Sequence, residues 1–262
     1  ALSLLYADDD QLDRWRRRTD PHFKPDWNSE LFRHFDYLTG SCIMRGKQEN
    51  FRRAANTADW AARLVQQAAK EGEVKHVRRV LHHRQHRASA PVTLQPAVFS
   101  GDMPSITVII PTRNRVDLLR TCLEGVMSTA YPRLDVIVVD NGSDDPETLD
   151  YLAALETSQI QVMRHPGPFN YSTINNRAAR EAKGQLLCLL NNDIEVTSPD
   201  WLLIMATQAI RDDVGAVGAQ LLHPDGRIQH AGVVIGVGNA AGHAHRFVRP
   251  QEEGYFRRHM LP

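Results

Sequence analysis

Three short apolar runs, each followed at once by a polar cluster, constrain this 262-residue chain more than any other feature. They are Ile106-Thr107-Val108-Ile109-Ile110, Val136-Ile137-Val138-Val139 and Leu186-Leu187-Cys188-Leu189-Leu190. Nearly continuous hydrophobic stretches of this length suit strands buried on both faces of a parallel sheet. Between the first two, Leu119, Cys122, Leu123 and Val126 recur at helical spacing and Pro132 closes the segment, which makes a βαβ unit. Asp145 to Leu155 and Ser172 to Ala182 read as two further helices. The order is α/β: a mixed, mainly parallel sheet flanked by helices, with a Rossmann-like first half. Ligands of such sheets bind beyond the carboxyl ends of the strands, so the clusters after each run are where a site belongs.

The grammar differs upstream. Ala58, Ala61, Ala62, Leu64 and Val65 fall on one helix face between Asn56 and Lys70, and the stretch with Pro91, Pro96, Gly101 and Pro104 has no apolar period. The expected division is a partial, α-rich half-domain over residues 1–90, a linker over 91–104 and a second domain over 105–262. Both ends read as cut from a longer polypeptide.

Thirty-one basic residues balance thirty-one acidic ones, so no global field draws the chain to nucleic acid or to an anionic membrane, and any polyanion must be bound locally. Cys42, Cys122 and Cys188 are scattered without metal-ligand spacing, which fits a reduced, cytoplasmic compartment. No apolar run approaches the roughly 20 residues that span a bilayer, and no signal peptide is visible.

After the first run, Thr112-Arg113-Asn114 offers backbone amides and a guanidinium to a phosphate or base; a plain βα turn is the equal alternative. After the second comes Asp140-Asn141-Gly142-Ser143. Its leading carboxylate can accept from a ribose hydroxyl or a base N–H, while Ser143 or Asp144 suits a helix cap. After the third comes Asn191-Asn192-Asp193-Ile194-Glu195, where clustered oxygens suit Mg²⁺ or Mn²⁺ held by Asp193. Such an ion neutralises a departing diphosphate; taken alone, the cluster reads more simply as an exposed turn. Asn175 and Asn176 are poor interior helix residues and suggest side chains committed to a partner. His82, His83 and His86 read as a solvated basic segment, whereas His230, His243 and His245 are candidates for diphosphate or acceptor contacts.

In order and spacing, residues 105–114, 138–143 and 184–193 resemble the opening half of family 2 glycosyltransferases. The segments 223–232 and 242–243 resemble the bacterial branch that builds O-antigen and other surface polysaccharides, rhamnosyltransferase-like members included. The resemblance implies a GT-A fold and inverting, metal-assisted transfer from a nucleotide-diphosphate sugar of UDP or dTDP type. The implied acceptor is a glycan or a lipid-linked one, with peripheral membrane association through that acceptor. It implies that Thr112, Arg113 and Asn114 line the nucleotide site, that Asp140 contacts base or ribose, and that Asn175 and Asn176 stand near the donor. Asn191-Asn192-Asp193 takes the Asp-x-Asp place with a carboxylate only at its last position, so metal binding is expected to be weaker unless Glu195 or a later histidine contributes. The family's catalytic base is expected beyond Pro262. A weaker resemblance, to the later half of the same family, covers residues 1–90. There Leu5 to Asp10 looks like a strand ending in Asp-x-Asp, with Asp8 and Asp10 as candidates, and Asn56 to Trp60 lacks a convincing base. The competing readings are a non-catalytic nucleotide-sugar-binding or scaffold module, and a nucleotidyltransferase, whose glycine-rich loop after the first strand is missing here.

Overall fold

The computed structural model describes residues 1–87 and 101–261. These fall into two units, one within Ala1–Pro96 and Gln220–Pro262, the other within Ala97–Ala219. Most of the linker expected over 91–104 lies outside the described residues.

The first unit opens with strand β1 (Leu2–Leu12), followed by β2 (Arg18–His22), helix α1 (Ser29–His34), β3 (Cys42–Met44), α2 (Gln48–Ala54), α3 (Trp60–Glu71) and β4 (Glu73–Arg84). β1 is central: β4 pairs parallel along one edge, and β2 and β3 pair antiparallel along different stretches of the other. The segment expected to be α-rich is therefore as much sheet as helix. The reason is β4, a largely polar segment whose few apolar residues, Val74, Val77, Val80 and Leu81, fall three apart or adjacent and do not alternate, so its strand character shows only in its pairing with β1. Leu4 and Tyr6 of β1 pack with Leu31, Phe32, Tyr37, Leu38 and Val65 to form the core.

Three successive carboxylates of β1, Asp8, Asp9 and Asp10, are buried, and each is compensated. Asp8 Oδ1 accepts from the Lys24 amide at 2.8 Å and lies 2.9 Å from His76 Nε2. Asp10 meets Arg18 Nε and His83 Nδ1, each at 2.6 Å. Burial alone would raise the Asp9 carboxyl. The His22 ring at 3.7 Å, the Lys24 ammonium at 2.6 Å and the Arg84 guanidinium at 3.4 Å outweigh it and hold Asp9 far below the usual carboxylate range. Because the folded-state value is depressed, this stabilisation is complete above about pH 4 and drains away as the pH falls further. Asp9→Asn is expected to lower the urea midpoint at neutral pH and to flatten its decline below about pH 4. An unchanged acid slope would contradict the assignment.

The second unit alternates strand and helix: β5 (Ile106–Thr112), α4 (Val116–Met127), β6 (Leu134–Asp140), α5 (Pro146–Ala154), β7 (Ile160–Arg164), α6 (Tyr171–Glu181), β8 (Leu186–Leu189) and α7 (Trp201–Ala209). Its sheet is parallel throughout, in the order β7-β6-β5-β8. Val108, Ile110, Val136 and Val138 face a core closed by Leu119, Cys122 and Leu123 of α4, Leu152 of α5 and Leu202 and Ala206 of α7. Ile109, Ile137 and Val139 face the other way, onto Ile174 and Ala178 of α6. One strand departs from the expectation of burial on both faces. Leu187 and Leu189 of β8 are 47% and 50% exposed, because α6 packs over β5 and β6 and leaves the edge strand uncovered on that side.

The remaining elements, β9 (Leu221–Leu222), β10 (Ile228–His230), β11 (Val233–Ile235) and β12 (Ala241–His243), form two small antiparallel pairs. Within the expected 105–262 domain, the stretch 220–261 packs with the first unit. The cause is aromatic: Phe256 is buried in that unit's core, edge-on to Tyr37 at 5.9 Å and stacked on His22 at 4.4 Å.

Candidate functional site

The site residues of the second unit lie where three parallel strands end. β5 and β6 are in register so that Thr112 stands beside Asp140, and the Asn141 amide continues the ladder by donating to Thr112 O at 2.8 Å. The two loops that follow are tied by Asn114. Its backbone amide donates to Ser143 Oγ at 2.8 Å, its side-chain oxygen accepts from the Asp144 and Asp145 amides at 3.1 Å, and its Nδ2 donates to Asp144 Oδ1 at 2.8 Å. Asn114 and Arg115 both sit at positive φ, 52° and 55°, which turns the chain sharply into α4. An asparagine tolerates that conformation better than most residues. Asn114→Ala removes three side-chain hydrogen bonds and is expected to cost the second unit about 1–3 kcal/mol, read from the urea midpoint; a change of a few tenths would mean the loops are held by something else.

The third cluster joins through Asn192, whose Nδ2 donates to Thr112 Oγ1 at 3.1 Å. Thr112, Asn141 and Ser143 are buried, Asn114 and Asn192 half-buried, and Arg113, Asn191, Asp193 and Glu195 exposed. The strand ends thus form a braced, largely buried floor, and the loops that follow carry an exposed guanidinium, Arg113, and an exposed carboxylate, Asp193. Burial pushes the Cys122 thiol up to about 11 and Cys188 up to about 12, so neither supplies a thiolate nucleophile at neutral pH.

Asp140 is fully buried. Its Oδ1 accepts from the Ser143 amide at 2.8 Å, and its Oδ2 is ion-paired with Arg164. Sequence reasoning missed Arg164 and its neighbours because Ile160-Gln161-Val162-Met163 alternates instead of forming a continuous apolar run. The signal lay in the polar residues after it: Arg164 is the register partner of Asp140, and the His165 amide donates to Asp140 O at 2.8 Å. Arg177 of α6 reaches His165, Nη1 to Nδ1 at 3.2 Å.

On α6, Asn170 caps the helix, accepting from the Thr173 amide at 3.0 Å. Asn175 Nδ2 donates to Tyr171 O at 2.8 Å, and Asn176 is exposed. The side-chain oxygens of Asn141 and Asn175 are buried with no hydrogen-bond partner among the described residues. Leaving a buried acceptor unsatisfied costs about 1–3 kcal/mol, a cost that a ligand or water can relieve.

Asp8, Asp10, His230 and His243 belong to the first unit. Asp8 and Asp10 are occupied by the partners already given. His230 and His243 bring their Nδ1 atoms to 2.8 Å of each other. Among the described residues, no three His, Cys, Asp or Glu side chains converge as a preformed metal cage.

A family profile described as glycosyl transferase family 2 matches residues 107–255, more than half of the chain. The chain belongs to that family. The matched glycosyltransferase segment includes every strand-end cluster described above, and its parallel sheet flanked by helices is the fold that the resemblance implied. Two relatives align across nearly all of this family 2 chain. It is 34% identical to an uncharacterized protein, y4gI, of Sinorhizobium fredii, over 98% of this chain and 34% of that one. It is also 34% identical to the O-antigen biosynthesis protein RfbC of Myxococcus xanthus, over 92% of this chain and 22% of that one. The chain therefore spans about a third and a fifth of these proteins' lengths. Among solved structures, it is similar to the mannosyltransferase PcManGT from Pyrobaculum calidifontis in complex with GDP-Man and Mn²⁺. That match has 25% identity and a TM-score of 0.43, covering 50% of this chain and 39% of that one. No helix of the described residues is long and apolar enough to cross a membrane.

Proposed function

We propose that this chain carries the donor site of an inverting glycosyltransferase that moves a sugar from a UDP- or dTDP-type nucleotide to a glycan or lipid-linked acceptor in bacterial surface polysaccharide synthesis. The observation that carries this reading is the joining of the three strand-end clusters by Asn114 and Asn192 at one end of the parallel sheet. The O-antigen relative supports the setting.

In this reading Thr112, Arg113 and Asn114 flank the nucleotide, and Arg113 contributes positive charge toward the diphosphate. Asp140 meets the base or ribose once Arg164, whose side chain is 54% exposed, swings aside. Asn141, Ser143, Asn175 and Asn176 supply polar edges around the donor, the two orphaned amide oxygens among them. Asn192 turns its NH₂ to Thr112, which leaves its oxygen, Asn191 and the Asp193 carboxylate as a hard donor set; Glu195 is a further carboxylate nearby in sequence. One carboxylate with neutral oxygens fits Mg²⁺ or Mn²⁺ when phosphate oxygens and water complete the shell. Bound there, the ion would neutralise charge on the leaving diphosphate. In the transfer itself an acceptor hydroxyl oxygen bonds to the anomeric carbon as the carbon–oxygen bond to the diphosphate breaks. The hydroxyl proton passes to a base for which no residue of this chain is assigned.

Isothermal titration of the chain with UDP and with dTDP, each with and without Mn²⁺, tests the proposal. Saturable binding of at least one nucleotide, tightened by the metal, is the expected result. No heat from either nucleotide at millimolar concentration would overturn it.

A further inference from the structure

The turn joining β1 to β2 and the first residue of β2 read Asp13-Arg14-Trp15-Arg16-Arg17-Arg18, four arginines around one tryptophan, a local excess of positive charge in a chain with no net charge. Asp13 folds it. Its carboxylate accepts from the Trp15 and Arg17 amides at 2.9 and 2.8 Å and from Arg17 Nε at 2.8 Å, and the Arg16 amide donates to Asp13 O at 2.9 Å. Arg18 is held by buried Asp10 at 2.6 Å. Trp15 is thereby presented 59% exposed, with the Arg14 and Arg17 guanidinium carbons 3.8 and 4.6 Å from its ring centroid. Arg14 and Arg16 are exposed and have no carboxylate partner among the described residues.

We infer that this hairpin tip docks the protein on an anionic phospholipid surface. Charge complementarity argues for that occupant. Guanidinium groups pair bidentately with lipid phosphates, and an indole with an apolar body and one N–H settles at the headgroup level of a bilayer. A soluble phosphate would use the arginines but gives the exposed indole nothing to bury. Single-stranded nucleic acid would stack on it but needs a basic groove with successive aromatic platforms, and this tip offers one ring on a convex turn. The contact is a surface one, weakened by salt as the charges are screened over about 10 Å at 0.1 M. It places the first unit against the membrane through its own side chains, independently of the donor site and of any lipid-linked acceptor.

The test is co-sedimentation of the 262-residue chain with vesicles of phosphatidylcholine and phosphatidylglycerol in equal parts, and with phosphatidylcholine alone. Binding to the anionic vesicles only, reversed by added salt, is expected. The double variant Arg14→Glu, Arg16→Glu should lower the partition coefficient by about tenfold or more, and Trp15→Ala by several-fold. Nucleotide titration of each variant and its urea midpoint should match the parent, which separates loss of docking from unfolding and from failure of the donor-site reading. Equal sedimentation of parent and double variant, equal binding to both vesicle types, or binding to a single-stranded oligonucleotide but not to vesicles would overturn the inference.

Discussion

Asp193→Ala is expected to weaken nucleoside diphosphate binding measured with Mn²⁺ by about a hundredfold or more, and to leave metal-free binding nearly unchanged. The size of the effect follows from the donor set proposed after β8. Asn191 and Asn192 bring neutral oxygens, and Asn192 already spends its NH₂ on Thr112 at 3.1 Å, so of these three residues Asp193 alone carries a formal charge. Removing it takes away the charged group of the proposed donor set and leaves Glu195, two residues on, as the next carboxylate in sequence. The converse substitution, Asn191→Asp, adds a second carboxylate without touching the Thr112 contact and should tighten metal-dependent binding. Titration of both variants with UDP, dTDP and Mn²⁺ checks the pair. Equal affinity of Asp193→Ala and the parent would remove the metal role from this residue.

Gly184→Ala should have the largest effect on stability in the second unit. A Cβ built there would fall 2.4 Å from Thr107 N, 2.8 Å from Ile106 C and 2.8 Å from Leu186 O, all backbone atoms that cannot rotate away. Here the chain crosses close to β5 before entering β8, and the crossing is pinned by Gly184 N donating to Thr107 Oγ1 at 2.8 Å. To admit a methyl group, β8 must separate from β5, which costs about 3 kcal/mol or more and displaces the loop carrying Asp193. A urea melt of the variant should show the second unit's transition shifted well below the parent's, with nucleotide binding lost alongside it. A midpoint equal to the parent's would show that the close approach relaxes at no cost.

Much of the second unit is legible in the sequence because its signals are local. β5, β6 and β8 announce themselves as apolar runs, and α5 and α6 begin and end within one residue of the Asp145 to Leu155 and Ser172 to Ala182 that the sequence indicates. The clusters 112–114, 140–143 and 191–193 could be placed at strand ends on the same grounds. What stayed hidden depends on pairing between distant segments. β7 is too polar to stand out alone, so Arg164 beside Asp140 emerges only from strand register. The division of labour on Asn114 was equally out of reach: its side chain braces the neighbouring loop, a job no spacing rule distinguishes from ligand contact. In the first unit, neither the pairing of polar β4 with β1 nor the burial of Phe256 from a segment more than two hundred residues away leaves a mark on the local pattern.

The strand-end floor as a nucleotide-sugar site is tested most directly by a crystal structure of the chain grown with UDP and Mn²⁺, and a second with dTDP and Mn²⁺. The diphosphate is predicted to lie beside Asp193 with the cation on its carboxylate, and the base between Thr112–Asn114 and Asp140. Density for the nucleotide anywhere else on the molecule, or an empty floor at saturating ligand in both crystals, would contradict the account.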